Sequence, residues 1–355
     1  MLEIQRSCTR FFGHPPKPVR EQLLELADAA GADEYPDRYG GGEILASFER
    51  DIAQMLGKEA AVFMPSGTMA QQIALRIHCE RRNLRTVALH PQSHLLVSEN
   101  NALQRLHDLQ PVAVGDRNAL YSLEDLKALT EPLGAVLLEL PERNIGGALR
   151  PWNEIAQIAQ WTHDNEIALH LDGARLWESQ PYYRMPLSEI CEPFDTVYVS
   201  FYKILGAIAG AALAGPQTII DEARAWQWRH GGRLVQQYPT IVSARLGLQR
   251  YLPRIPQYCA RARAIAAILS EFDNVRVTPN PPPTNMMHVY VRGDRERLRE
   301  AALRISQESG VWMPAAWNTT AIPEWVMFEL SCGEGSLAIG DDDVQELFGR
   351  LFGRR

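Results

Sequence analysis

The chain has 355 residues with a formal net charge of −7, and 46% of its residues are hydrophobic against 22% charged. That length supports a sizeable core in two lobes, and the composition is ordinary for a soluble globular protein. An acidic balance with no compensating basic block argues against a nucleic-acid binder, and no uninterrupted apolar run is long enough for a membrane span.

In chain order, the amino-terminal stretch MLEIQRSCTRFFGHPP carries charges where a secretory signal needs an apolar core, which makes the expected location cytoplasmic. Five cysteines (Cys8, Cys79, Cys191, Cys259 and Cys332) are scattered without C-x-x-C spacing, consistent with a reducing compartment and with no metal site. Residues 1–40 read as an amino-terminal arm, 41–245 as a large domain and 246–355 as a smaller α+β domain.

The large domain alternates short apolar strands with helical patterns. Expected strands are AAVFMPS (60–66), RTVALH (85–90), GAVLLEL (134–140), EIALHLD (166–172), TVYVSF (196–201) and AIAGAALAG (207–215). Between them SLEDLKALT opens on a serine N-cap with an acid close behind, and WNEIAQIAQWTHDN carries a helical repeat. Strands separated by such helices predict an α/β fold built on a mostly parallel sheet covered on both faces. Beyond residue 245 a helical pattern broken by two prolines leads to HVYVRG, a helical RERLREAALRISQESG, a strand-like WVMFELSC and a final helix.

Sites in parallel α/β sheets gather at the carboxyl ends of the strands, so the residues ending each strand are the ones to read. Ser66, Gly67 and Thr68 lead from the first strand into an apolar-periodic helix, where hydroxyls and free N–H groups make an anion seat. Each is also an ordinary helix start. His94 follows the second strand, placed either to stack on a bound ring or to sit in a surface loop. Asp172 ends HLD and is either a functional carboxylate or a cap for the next helix. Lys203 is the one charged side chain in VYVSFYKILGAIAGAALAG. Desolvation favours its neutral, nucleophilic amine, although a lysine stem packed on apolar surface with its head in water is the plainer alternative.

Taken together, a lysine able to form a Schiff base, an aspartate 31 residues upstream and a Ser-Gly-Thr anion seat are the parts needed to hold pyridoxal 5′-phosphate. The lysine binds the aldehyde, the helix start takes the phosphate, and the aspartate keeps the pyridine nitrogen protonated so that the ring accepts electrons.

At these residues the chain resembles the threonine aldolase and β-eliminating lyase family of pyridoxal-phosphate enzymes. The likeness rests on GKEAAVFMPSGTMAQQIAL, SHLLVSE, HLDGARL and the lysine followed by x-L-G-A, in matching order from about residue 6 to 250. It implies the aspartate-aminotransferase-like fold (fold type I) and a homodimer or homotetramer with interfacial active sites. It assigns Lys203 to the cofactor aldehyde, Asp172 to the ring nitrogen, His94 to stacking, and Ser66, Gly67 and Thr68 to the phosphate. Arg175 is then expected near the cofactor hydroxyl or the substrate carboxylate, and Ser7, beside Arg6, at that carboxylate. GGRLVQQ approximates a family segment in which Arg233 contacts a phosphate of the neighbouring subunit, with a surface arginine as the alternative.

The chain departs from the family pattern at several places. Tyr202 replaces a serine beside the lysine, which moves the expected phosphate contact to Ser200. Glu142 stands where the family has a histidine near the substrate hydroxyl, Cys8 replaces an aspartate, and Glu329 lies in the strand that elsewhere carries a carboxylate-gripping arginine. The activity implied is cleavage of a threonine-like β-hydroxy-α-amino acid to glycine and an aldehyde, with Glu142, His94 or a water between them as the base. β-Elimination, an aldol substrate other than threonine and a non-catalytic protein that keeps the fold are the alternatives.

Overall fold

The computed structural model describes residues 1–353. Contacts divide the chain into two units: Val19–Asn144 with Leu149–Pro253, and Met1–Pro18 with Ile145–Ala148 and the chain from Arg254.

The larger unit is organised by a seven-stranded sheet: β1 (Ala60–Met64), β2 (Thr86–Leu89), β3 (Gln110–Ala113), β4 (Ala135–Glu139), β5 (Ala168–Gly173), β6 (Thr196–Ser200) and β7 (Ala211–Gly215). Their spatial order is β1-β7-β6-β5-β4-β2-β3, and β7 alone runs against the rest. β4 and β6 are buried along their whole length, as strands covered on both faces must be, and this is why they read as continuous apolar runs. β3 is absent from the sequence expectation. It is an edge strand, half exposed, with Pro111 inside it, and so lacks both the apolar run and the β-branched density of its neighbours.

Alternate residues of β1 serve opposite faces of the sheet. Phe63 meets Phe48 of the helix Glu43–Met55 and stacks on Phe201, with ring centroids 5.7 and 6.0 Å away. Val62 and Met64 join the cluster formed by Ile73, Ile77 and Ile220 from the helices Gly67–Arg81 and Gln217–Arg229. The strand ends are thereby fixed between two packed layers, which gives the site below a rigid base.

The smaller unit holds a four-stranded antiparallel sheet, Asn318–Thr319, Trp325–Ser331, Met286–Arg292 and Val275–Thr278 in spatial order. Trp325–Ser331 alternates between buried and half-buried residues, the pattern of a sheet with one covered face. The helices Ile255–Leu269, Arg295–Ser309 and Asp341–Phe352 belong to the same unit. The two prolines in the long helical pattern end one helix at Tyr251 and open the next at Ile255, and the boundary between the units falls between them. Among the described residues, no helix is long and apolar enough to cross a membrane. All five cysteines are buried, and among the described residues none forms a disulfide.

Candidate active site

The carboxyl ends of β1, β4, β5 and β6 open into a cleft of about 260 Å³ within the larger unit. Its walls include Gly67, Thr68, Gln71, His94, Glu99, Glu139, Asp172, Arg175, Tyr198 and Lys203, so residues far apart in sequence meet where the strand ends predict.

Asp172 is 1% exposed. Gln71 Nε2 donates to its Oδ2 at 2.8 Å and the Ala174 N–H to its Oδ1 at 3.0 Å. Both donors are neutral, and among the described residues Asp172 makes no ion pair. A buried carboxylate with only neutral donors is well matched to a cationic N–H, which the protonated pyridine nitrogen provides. Lys203 shares the cleft. Burial, then the positive charge of Arg175, lowers its pKa against the pull of Asp172, Glu139 and Glu178. The free amine that attacks an aldehyde is therefore favoured.

The sequence has four lysines, Lys17, Lys58, Lys127 and Lys203. Lys58 is also lowered by burial, but its Nζ donates to Phe194 O at the opposite, amino-terminal edge of the sheet. Only Lys203 lines the cleft.

The helix Gly67–Arg81 starts at the cleft, and Gly67, Thr68 and Gln71 fall on one of its faces. Ser66 caps it by accepting the Met69 N–H at 3.3 Å, the ordinary role of such a serine, and is not part of the cleft wall. A Cβ on Gly67 lies 1.9 Å from Tyr198 Oη, so only glycine allows Tyr198 to close against the helix start. Gly67→Ala is expected to cost about 1–3 kcal/mol, the usual penalty of overpacking, and to lower cofactor affinity. Thermal unfolding and a cofactor titration check this.

His94 is held by Glu99, with Nδ1 3.1 Å from Oε1. Glu99 is buried, which works against its charge, yet hydrogen bonds from His94, Gln72 and Thr68 hold its pKa below the ordinary carboxylate value. The ring is thus oriented from below, and 40% of the side chain stays exposed. Gln71, Gln72 and Glu99 went without roles in the sequence reading, although the QQ pair and the final residue of SHLLVSE lie inside the matching motifs. The signal was their spacing, one helical turn and one loop away from Thr68 and His94.

Other expected residues stand elsewhere. Ser200 is not on the cleft wall; its Oγ donates to Ala174 O, a wall residue, at 2.7 Å. Tyr202 is on the wall, its hydroxyl 3.3 Å from that of Tyr198. Arg233 lies outside the cleft, bonded to Tyr39 O and stacked over Trp228 at 4.3 Å. Ser7 belongs to the smaller unit, where its hydroxyl donates to Ile4 O at 2.8 Å.

Glu142 is 3% exposed and not on the wall, which is formed at that point by Glu139, the register partner of Asp172. Burial, then the charge of Asp172, pushes Glu139 up to about 7. Burial and the adjacent Glu139 push Glu142 well above the ordinary carboxylate value, which favours its protonated form. Arg143 and Asn144, also unassigned from sequence, complete this wall.

A strand-end lysine, a buried aspartate and a helix start around one cleft define a pyridoxal-phosphate enzyme of fold type I. The chain belongs to the β-eliminating lyase family, which matches residues 21–293 and brings pyridoxal phosphate as cofactor. A Listeria monocytogenes structure provisionally assigned as an L-allo-threonine aldolase superposes with a TM-score of 0.94 at 38% identity, covering 98% of each chain. An Exiguobacterium structure, provisionally an aromatic amino acid β-eliminating lyase/threonine aldolase, gives 0.93 at 36% identity, again over 98% of both chains. Low-specificity L-threonine aldolase 1 of Arabidopsis thaliana is 28% identical over 274 residues, 74% of this chain and 76% of its own.

Proposed function

We propose that the protein cleaves a threonine-like β-hydroxy-α-amino acid to glycine and an aldehyde. The observation that carries this is the convergence of Lys203, Asp172 and the Gly67–Thr68 helix start on one cleft, in a chain whose relatives are named as threonine aldolases. Bound there, pyridoxal phosphate supplies an electron sink for the pair released when a bond to the substrate α-carbon breaks. Lys203 would provide the amine for its aldehyde, Asp172 would hold a proton on the ring nitrogen, and the N–H groups at the helix start of Gly67 and Thr68 would take the phosphate. His94, braced by Glu99 on the cleft wall, would stack on the cofactor ring and limit the access of water. Arg175 supplies the positive charge for the substrate carboxylate.

Incubation with threonine and, separately, with serine tests this. Equal amounts of glycine and acetaldehyde from threonine are expected. Pyruvate and ammonia from serine, without glycine from threonine, identify β-elimination instead. No turnover of either leaves a cofactor-binding protein.

We also propose a homodimer or homotetramer. Trp228, Leu234, Val235 and Tyr238 support it, since they expose 39–65% of their surface within eleven residues of the larger unit. Light scattering of the purified holoenzyme is expected to give at least twice the 39.9 kDa chain mass, and a monomer contradicts it.

A further inference from the structure

We propose that Glu139 takes the proton from the substrate's β-hydroxyl and that Glu142 is the residue that positions it, an assignment that rests on the aldol reading above. Three acids line the cleft: Glu99, Glu139 and Asp172. Glu99 accepts from His94, Gln72 and Thr68, and Asp172 from Gln71 and the Ala174 N–H. Glu139 accepts a long bond, 3.3 Å, from the Arg143 N–H at Oε1, and among the described residues no backbone N–H, hydroxyl or amide donor meets its buried Oε2. Glu99 braces His94 and Asp172 is assigned to the ring nitrogen, which leaves Glu139 as the acid on the wall without another role.

Glu142 explains how Glu139 is held. Glu142 Oε1 is buried and likewise meets no donor among the described residues, and its proximity to the Glu139 carboxyl is among the causes that raise the Glu142 pKa. One proton between them answers both buried oxygens. That proton cannot come from His90. The Gln92 N–H donates to His90 Nδ1 at 3.1 Å, which leaves the ring proton on Nε2, 2.9 Å from Ala119 O. His90 Nδ1, 3.6 Å from Glu142 Oε1, is therefore an acceptor, and burial keeps the ring neutral. Arg150, the cation near Glu142, is committed to Tyr121 O. Glu142 thus retains its own proton and donates it to Glu139. A carboxylate has roughly four acceptor positions, and two are filled by Arg143 and Glu142.

The charged groups facing Glu139 are Asp172 from β5, Lys203, Arg175 and Glu142. Burial and Asp172 together raise Glu139 into the range where a carboxylate is an effective base at neutral pH. In the step itself the β-O–H bond breaks and its proton passes to Glu139. The oxygen's electron pair becomes the second C–O bond of the aldehyde as the Cα–Cβ bond breaks. The pair from that bond is left at the α-carbon, for which bound pyridoxal phosphate would supply the electron sink, and a proton added there gives glycine. Glu139 then releases its proton to water.

The test compares holoenzyme variants by two readouts: the pH profile of aldehyde release from threonine, and α-proton exchange of glycine in D2O, which needs the cofactor but no β-hydroxyl base. Glu139→Gln is expected to lower aldehyde release about 100-fold or more, with glycine exchange kept within a few-fold and the acid limb of the profile lost. Glu142→Met removes the donor to Glu139 and is expected to move that limb to higher pH, whereas Glu142→Gln, which keeps a donor, brings it back. An equal fall in both readouts for Glu139→Gln makes Glu139 a support of the cofactor and overturns the proposal. So does a Glu139→Gln variant with unchanged aldehyde release. Wild-type holoenzyme that exchanges glycine's α-proton and releases no aldehyde from threonine overturns the aldol reading and this one with it.

Discussion

Lys203→Ala is expected to lower turnover by at least about 10³-fold, the scale on which loss of a covalent catalytic group acts. The size follows from the lack of a substitute. Of the other lysines, Lys58 is bonded to Phe194 O at the far edge of the sheet and Lys127 pairs with Glu124 on the surface, while Lys17 belongs to the smaller unit. The cofactor is expected to bind without covalent attachment, held by the helix start and Asp172, and to wash out on dialysis. Absorbance spectra before and after dialysis, with turnover measured on the same samples, check both halves. The apolar surroundings that lower the amine's pKa also make Lys203→Arg a poor replacement, since a guanidinium keeps its charge and cannot attack.

Asp172→Asn is expected to reduce turnover by about 10²- to 10³-fold, the usual cost of removing one preorganised electrostatic contact in a dry site. Asparagine keeps the shape but not the charge. Its amide Nδ2 must also face either Gln71 Nε2 or the Ala174 N–H, both of which donate to the carboxylate. That opposed pair of donors costs about 1 kcal/mol or more. The variant should still bind the cofactor within about tenfold, because the lysine and the helix start remain. A loss of affinity as large as the loss of turnover assigns Asp172 to binding alone.

The sequence carries the sheet more plainly than the walls of the site. β4, β5 and β6 are covered on both faces, so their residues had to be largely apolar, and the acids ending β4 and β5 mark the cleft. Lys203 and Asp172 stood out because a charge at the end of an apolar strand is conspicuous. Glu139 ends β4 in the same way, but Glu142 drew the attention because a different residue type stands there in the family. Which of two acids three residues apart reaches the cleft depends on the turn that follows the strand, and spacing does not report it. Ser200 illustrates the same limit. It ends β6, yet a carbonyl 26 residues away in sequence, Ala174 O, takes its hydroxyl. The edge strand β3 was invisible for the opposite reason, since half-exposed residues and a proline leave no apolar pattern to detect.

The central claim is that Lys203 and its cleft hold pyridoxal phosphate, and borohydride reduction of the holoenzyme followed by peptide mapping tests it most directly. With four lysines in the chain the labelled peptide is unambiguous. One reduced cofactor per chain is expected, on the peptide that contains Lys203. Label on the peptide of Lys17, Lys58 or Lys127, or reduction that fixes no cofactor to any peptide, contradicts it.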